Sequence, residues 1–486
     1  MSAEQRLSDE VLYPDRTHDA VVVIPGIMGS ELRDGTSGSV LWGLDPRFYG
    51  RAWLTASTLR ALHLTEAELA GEYGRVTASR LLHFPAWLPF FRGFEPYTAL
   101  VDAVYTAVVH PAAVLEFPYD WRLPVAYNAE RLAEEALAHL TRWQEHPSHV
   151  AARGRHATQR PAQLVLVAHS MGGLLVRHLP LEMAEKIRVS VTLGTPFHGS
   201  PKAAALLNSG RALVPLPARR PASAMLQRDP DMGVRALAVT LPGVYDLLPT
   251  YRSVDDGRAG RRLSVGDVVA LGGDAVQAQA WHDRQQSASE EALVDHQLVV
   301  GAAQHTPQSL RIDDGVVRLL FEELGGTVES PARTDRLGDG TVPTGSAELR
   351  GVRPTRLDQQ HQQLAKADAA IRHVQHILRE RDLDLLGPPM GPEEGVGLDV
   401  PDAVVAPGEE WVARATGVAH QRGAYCLVSE VTGAIRAQRV FLQQRDDDWY
   451  APIVLPQPGL YRVALQGLDG PVSQLVLAVD LDSHGS

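Results

Sequence analysis

The chain has 486 residues, 44% of them hydrophobic and 21% charged, and a formal net charge of -12. That length suggests two or three domains and a large core, and the acidic balance argues against nucleic-acid partners and against attraction to anionic lipid. The single cysteine, Cys426, excludes a disulfide framework. No apolar signal region opens the chain and no apolar run approaches the about 18 residues of a spanning helix, so a cytoplasmic location is the expectation.

Residues 1–18 read as a polar arm. The β-branched run Asp19–Ile24 is a buried strand, and Pro25-Gly26 stops it in a tight turn. The glycine-rich stretch Pro25–Ser30 is suited to presenting backbone N–H groups inward. Residues 41–92 read as an insertion beside the sheet. Its aromatic stretch Phe84–Phe91 is either an apolar lip that meets lipid or plain packing onto the core.

Tyr97–Val109 has the spacing of a helix, and Ala113–Phe117 of a strand. After it, Asp120 and Arg122 are placed to pair and brace a loop. Asn128 is expected to cap the next helix, whose stripe is Leu132, Ala136, Leu137 and Leu140. Residues 147–161 read as a polar surface loop.

Leu164–Val176 is the most informative stretch. An apolar strand ends at His169-Ser170, two glycines follow, and a second apolar run begins. Strand, sharp turn and helix with a serine at the tip make a nucleophile elbow, which needs small residues two positions either side of the serine. Here those are Ala168 and Gly172. The oxyanion donors expected in such an arrangement are the amide after the nucleophile, Met171, and one from the early glycine-rich loop, Ile27.

Ile187–Leu193 is a further strand. His198, in the loop after it, is weighed as a base and read instead as pocket wall. Residues 200–290 break the alternation of strand and helix, as a cap or lid would. Gln297–Ala302 restores the sheet, and Asp313-Asp314-Gly315 signals a hairpin. Asp339 stands between two glycines in a tight loop, and His361 opens a helix that carries Leu364, Ala365, Ile371 and Val374. His373 and His376 read as surface or packing residues. Prolines and glycines at 387–395 mark a linker. Beyond it, 396–486 alternates as short strands of a small all-β sandwich.

A serine hydroxyl needs an adjacent base, the base needs an orienting acid, and the tetrahedral intermediate needs amide donors. Ser170, Asp339 and His361 occur in the order nucleophile, acid, base. Asp358 is the rival acid, set aside because it lies so close to His361 in the chain. Pocket candidates are Met28, His169, Phe197, His198 and Trp121. The chemistry requires no cofactor and no metal.

The strings Pro25–Ser30, Pro118-Tyr119-Asp120-Trp121-Arg122, Ala168–Gly173, Gly194-Thr195-Pro196, Tyr245–Pro249 and Gly338–Val342 resemble the lecithin:cholesterol acyltransferase and lysosomal phospholipase group of α/β-hydrolases. The resemblance spans about residues 19–380. It implies an α/β-hydrolase fold over 19–386, a mostly parallel sheet with helices on both faces and a cap. It implies hydrolysis of acyl esters, or their transfer to an alcohol, on lipid or phospholipid with transient membrane contact. The alternatives are a carboxylesterase or thioesterase for small soluble substrates, and a regulated effector whose C-terminal domain docks a protein partner.

Overall fold

The computed structural model describes residues 16–43, 60–82, 86–88, 91–94, 97–155, 159–209, 234–287, 295–380, 396–400, 405–418, 424–430, 435–445, 448–466 and 472–478. Most of the polar arm, the linker at 387–395 and the cap stretch 210–233 lie outside them. So do the side chains of the aromatic stretch Phe84–Phe91.

Among the described residues the centre is a six-stranded sheet. Its strands are β1 (Ala20–Ile24), β2 (Val114–Glu116), β3 (Leu164–His169), β4 (Ile187–Leu193), β5 (His296–Gly301) and β6 (Pro354–Leu357). The order across the sheet is β6-β5-β4-β3-β1-β2, and every pairing is parallel. Parallel strands buried on both faces read as unbroken apolar runs. Every residue of β1 and β3 is buried. Helix α1 (Thr98–Ala107) packs against α6 (Asp368–Leu378), and α2 (Val125–Glu145) packs against α4 (Met171–Arg177). Helices α3 (Pro147–Arg155) and α5 (Pro201–Ser209) complete the elements used below.

Two local expectations are corrected. Asn128 does not cap α2. The helix starts three residues earlier, and Asp246 Oδ2, from a distant loop, accepts the Val125 N–H at 2.8 Å. A tertiary partner thus does what a local cap would have done, and Asn128 Nδ2 turns down to donate to Asp120 O at 2.9 Å. Residues 147–155 are helical rather than a loop: Pro147 opens α3, and His149 is buried with Nδ1 on Gln144 O.

In and around the stretch expected as an insertion, Ser30–Asp34, Val40–Trp42 and Val76–Leu81 form a small antiparallel sheet, and Ala86–Leu88 pairs with Phe91–Phe94. Arg252–Val254 and Arg261–Arg262, from the stretch expected to be a cap, form another small sheet with Ser309–Asp313 and Val316–Leu320, which lie beyond it in the chain. Its hairpin turns at Asp314 (φ 48°) and Gly315 (φ 74°), the left-handed pair that a primed turn requires.

The C-terminal strands make two four-stranded antiparallel sheets among the described residues. They close on a core of their own around Cys426, Ile453 and Val463. The first strand is β7 (Gly397–Asp399), paired with Glu410–Thr416. This is the sandwich expected beyond the linker.

Candidate active site

Ser170 sits between β3 and α4 with φ 52° and ψ -128°. A non-glycine residue held there stores about 1–3 kcal/mol of backbone strain. The neighbours must be small for measurable reasons. A Cβ on Gly172 would come within 2.4 Å of Pro25 O, and one on Gly173 within 1.9 Å of Thr195 Oγ1. The early loop is as tight, since a Cβ on Gly26 would come within 2.8 Å of Ser170 Cβ.

The elbow brings three expected residues together. Ser170 Oγ lies 2.8 Å from His361 Nε2. His361 Nδ1 lies 2.7 Å from Asp339 Oδ2. All three are buried, Asp339 most of all. The other carboxylate oxygen, Asp339 Oδ1, accepts the N–H groups of Thr341 (2.9 Å) and Val342 (2.6 Å), so the acid is fixed by its own loop. The loops are tied through backbone as well: His361 N donates to Asp339 O at 2.8 Å. Asp358 serves elsewhere. Its carboxyl accepts the Val396 N–H, while burial pushes its pKa up.

A cavity of about 150 Å³ opens at Ser170 and His361. Ile27, Met28, Ala203, Leu206, Val244 and Leu247 give it an apolar wall, with Ser200 and Lys202 on the polar side. Met28 and His169 line it. Phe197 and His198 do not. Phe197 faces a separate small hollow beside Arg177, and the His198 backbone carbonyl accepts from Thr250 N. Trp121 is also displaced from the reacting atoms. With Trp42 it lines a separate apolar hollow of about 20 Å³, which shares Ile27, Met28, Leu206 and Val244 with the lining of the main cavity. Ile27 lines the cavity, and Met171 is the first residue of α4, where an N–H has no acceptor within its own helix.

Tyr97, which belongs to no motif, and His169, within the elbow string, support the site. Tyr97 Oη accepts the Gly26 N–H at 2.7 Å and lies 2.9 Å from His169 Nδ1. His169 Nε2 lies 3.0 Å from His361 O. Because Tyr97 accepts from Gly26, its hydroxyl proton is directed to His169 Nδ1, which leaves Nε2–H to donate to His361. Burial, then the neighbouring His361, pushes the His169 pKa down to about 3, so this ring is neutral. Beneath the site Arg122 is wholly buried. It bonds Asp120 Oδ2 at 2.7 Å, Glu68 Oε1 at 3.0 Å and Leu62 O at 3.1 Å, so the expected Asp120–Arg122 pair is part of a larger ionic cluster.

Residues 93–217 match the family model described as lecithin:cholesterol acyltransferase. Over that segment the chain is similar to that family, and its all-parallel central sheet flanked by helices is that of an α/β-hydrolase fold. The matched segment contains Ser170 and the Pro118–Arg122 string, and lies between the Gly26 loop and the Asp339 and His361 loops. Three solved structures are similar at low identity. One is the Tle4–Tli4 complex, with 16% identity, 74% of this chain and 96% of that chain covered, and a TM-score of 0.39. The second is Bacillus licheniformis lipase BlEst2 in mature form, with 14% identity, 75% and 93% covered, and a TM-score of 0.27. The third is the same lipase in propeptide form, with 12% identity, 96% and 94% covered, and a TM-score of 0.28. No curated protein matches the chain. Among the described residues no cluster of His, Cys, Asp or Glu is suited to hold a metal ion, and no helix is long and apolar enough to cross a membrane.

Proposed function

We propose that the protein is a serine acyl-ester hydrolase of lipase or phospholipase type, acting through an acyl-enzyme on Ser170. The observation that carries this reading is the unbroken hydrogen-bond line Ser170 Oγ–His361 Nε2, His361 Nδ1–Asp339 Oδ2 at 2.8 and 2.7 Å, facing an apolar cavity. His361 takes the Ser170 proton as Oγ attacks the ester carbonyl. Asp339 accepts from Nδ1–H and stabilises the imidazolium. The amides of Ile27 and Met171 receive the oxyanion, a term worth about 3 kcal/mol per donor. Collapse of the intermediate breaks the ester C–O bond, and the leaving alcohol takes the proton from His361. Water, or a second alcohol in a transferase, then attacks the acyl-Ser170 ester by the reverse sequence.

The apolar wall of the main cavity supports an acyl chain as the buried part of the substrate. Ser170→Ala should abolish turnover of a p-nitrophenyl acyl ester while the melting curve stays that of a folded protein. Undiminished turnover in that variant contradicts the reading. A lipid substrate is separated from a small soluble ester by rates measured across the micellar threshold: a rise above it supports the lipase reading, and no rise supports the esterase reading.

A further inference from the structure

We propose that the C-terminal sandwich is a working part of this site, with Gln304 and Gln360 as positioning residues that clamp the acid and base loops to its first strand. The inference rests on the roles given above to Asp339 and His361.

Gln304 follows β5 and is fully buried. Its backbone pairs in both directions with Gly338, the residue before Asp339, at 2.8 and 3.0 Å. Gln360 is the residue before His361, and its Nε2 donates to Gln304 Oε1 at 2.9 Å. The two side chains therefore join the loops that carry the acid and the base. Strand β7 supplies the third side. Leu398 N donates to Gln304 Oε1 at 3.1 Å, and Leu398 O accepts from Gln360 Nε2 at 2.8 Å. Gln304 Nε2 donates to Val396 O at 3.0 Å and to Ala302 O at 3.2 Å.

The fit is close on every side. Gly340, after Asp339, has φ +84°, and a Cβ there would meet Gln360 Oε1 at 2.4 Å. Gly397 of the sandwich is equally confined, since a Cβ would meet Ala303 O at 2.6 Å and Thr416 Oγ1 at 2.3 Å. An apolar interface between two domains tolerates sliding. A buried amide with its donors and acceptors matched does not, because any shift strands a polar group out of water's reach. Strand β7 is thus positioned to hold the Asp339 and His361 loops in register, and a misplacement of about 1 Å at such a site can cost about 100-fold in rate.

The test uses full-length protein and a short p-nitrophenyl ester, assayed well below each variant's melting onset. Gln360→Leu and Gln304→Leu keep the bulk and remove the bonds. Both are expected to lower kcat at least about tenfold with KM changed less than about threefold. Their double variant should cost little more than the worse single one, since the two residues act as a unit. Gly397→Ala, on the sandwich side and carrying no loop side chain, should lower kcat in the same way, and it serves if the glutamine variants fail to fold. Variants that melt earlier but keep kcat within about twofold of wild type would overturn the clamp and leave only a structural contact. Ser170→Ala is run alongside: if it keeps activity, the assignment of the site fails; if it is dead while the other variants turn over normally, the clamp alone fails.

Discussion

His169 Nε2 donates to the backbone carbonyl of His361 at 3.0 Å, so the residue before the nucleophile holds the backbone of the proposed base. The other side of that ring is held by Tyr97, which also takes the Gly26 N–H of the early loop. One buried relay therefore fixes the expected oxyanion loop and the base relative to Ser170.

Tyr97→Phe leaves the Gly26 N–H and His169 Nδ1 without this hydroxyl in a buried site. The expected result is a kcat lowered about tenfold, equal to about 1.4 kcal/mol of barrier, with a smaller change in KM. His169→Gln, whose amide offers one acceptor and one donor, should retain more kcat than His169→Leu. Steady-state kinetics on the three variants check both statements, and equal rates for His169→Gln and His169→Leu would count against the relay.

Arg122 is buried among Asp120 and Glu68, with Arg75 adding positive charge at the edge. Removing one partner of a buried ionic group costs about 3–5 kcal/mol, because the remaining charges are left out of water. Arg122→Leu should lose that much stability in urea unfolding. A loss under about 1 kcal/mol would mean that the cluster is not energetically coupled.

Burial holds three histidines neutral well below the usual range: His169 down to about 3, and His296 and His373 each down to about 4. The unfolded chain binds protons on these residues from about pH 6.5 downward, while the folded chain does not. Stability must therefore fall as pH drops, by up to about 1.4 kcal/mol per pH unit for each residue between about pH 6.5 and 4. Asp19 adds to the loss only at lower pH. Although burial raises its pKa, Arg160 and Arg188 hold it down to about 2, so its contribution is full above the ordinary aspartate value and is lost as pH falls from there to about 2. Urea midpoints at pH 7 and pH 5 test the histidine term, and equal midpoints would contradict it.

Val244 lies in the apolar wall of the main cavity and also lines the small hollow beside Trp42 and Trp121. Val244→Phe should narrow the main cavity and move the preferred acyl chain to shorter lengths. Each methylene excluded is worth about 0.8 kcal/mol, or about fourfold in kcat/KM. A chain-length series with wild type and variant reads this directly, and an unmoved optimum would place the chain elsewhere.

The elbow is legible in the sequence because strain and crowding act on neighbours in the chain: Ala168, Ser170, Gly172 and Gly173 must stand together to make that turn. Asp339 and His361 are legible through their order and their loops. The sandwich is legible through its alternation, and its role is not. It reads as a docking module because its strands carry no chemistry, yet its contact with the site is made by backbone groups of Val396 and Leu398 on two glutamines without a motif. The roles of Tyr97 and Asp246 escape a sequence reading for the same reason: each acts through a partner far away in the chain. Phe197, His198 and Trp121 are misplaced by it because a residue's distance from a strand end does not tell which way the following turn runs.

The most direct measurement is the mass of the intact protein after reaction with a phosphonate ester that labels activated serines. One adduct, mapped to Ser170, with loss of esterase activity in step with labelling and no adduct in Ser170→Ala, is the expected result. Full esterase activity in a protein labelled at Ser170, or in the Ser170→Ala variant, would contradict the account.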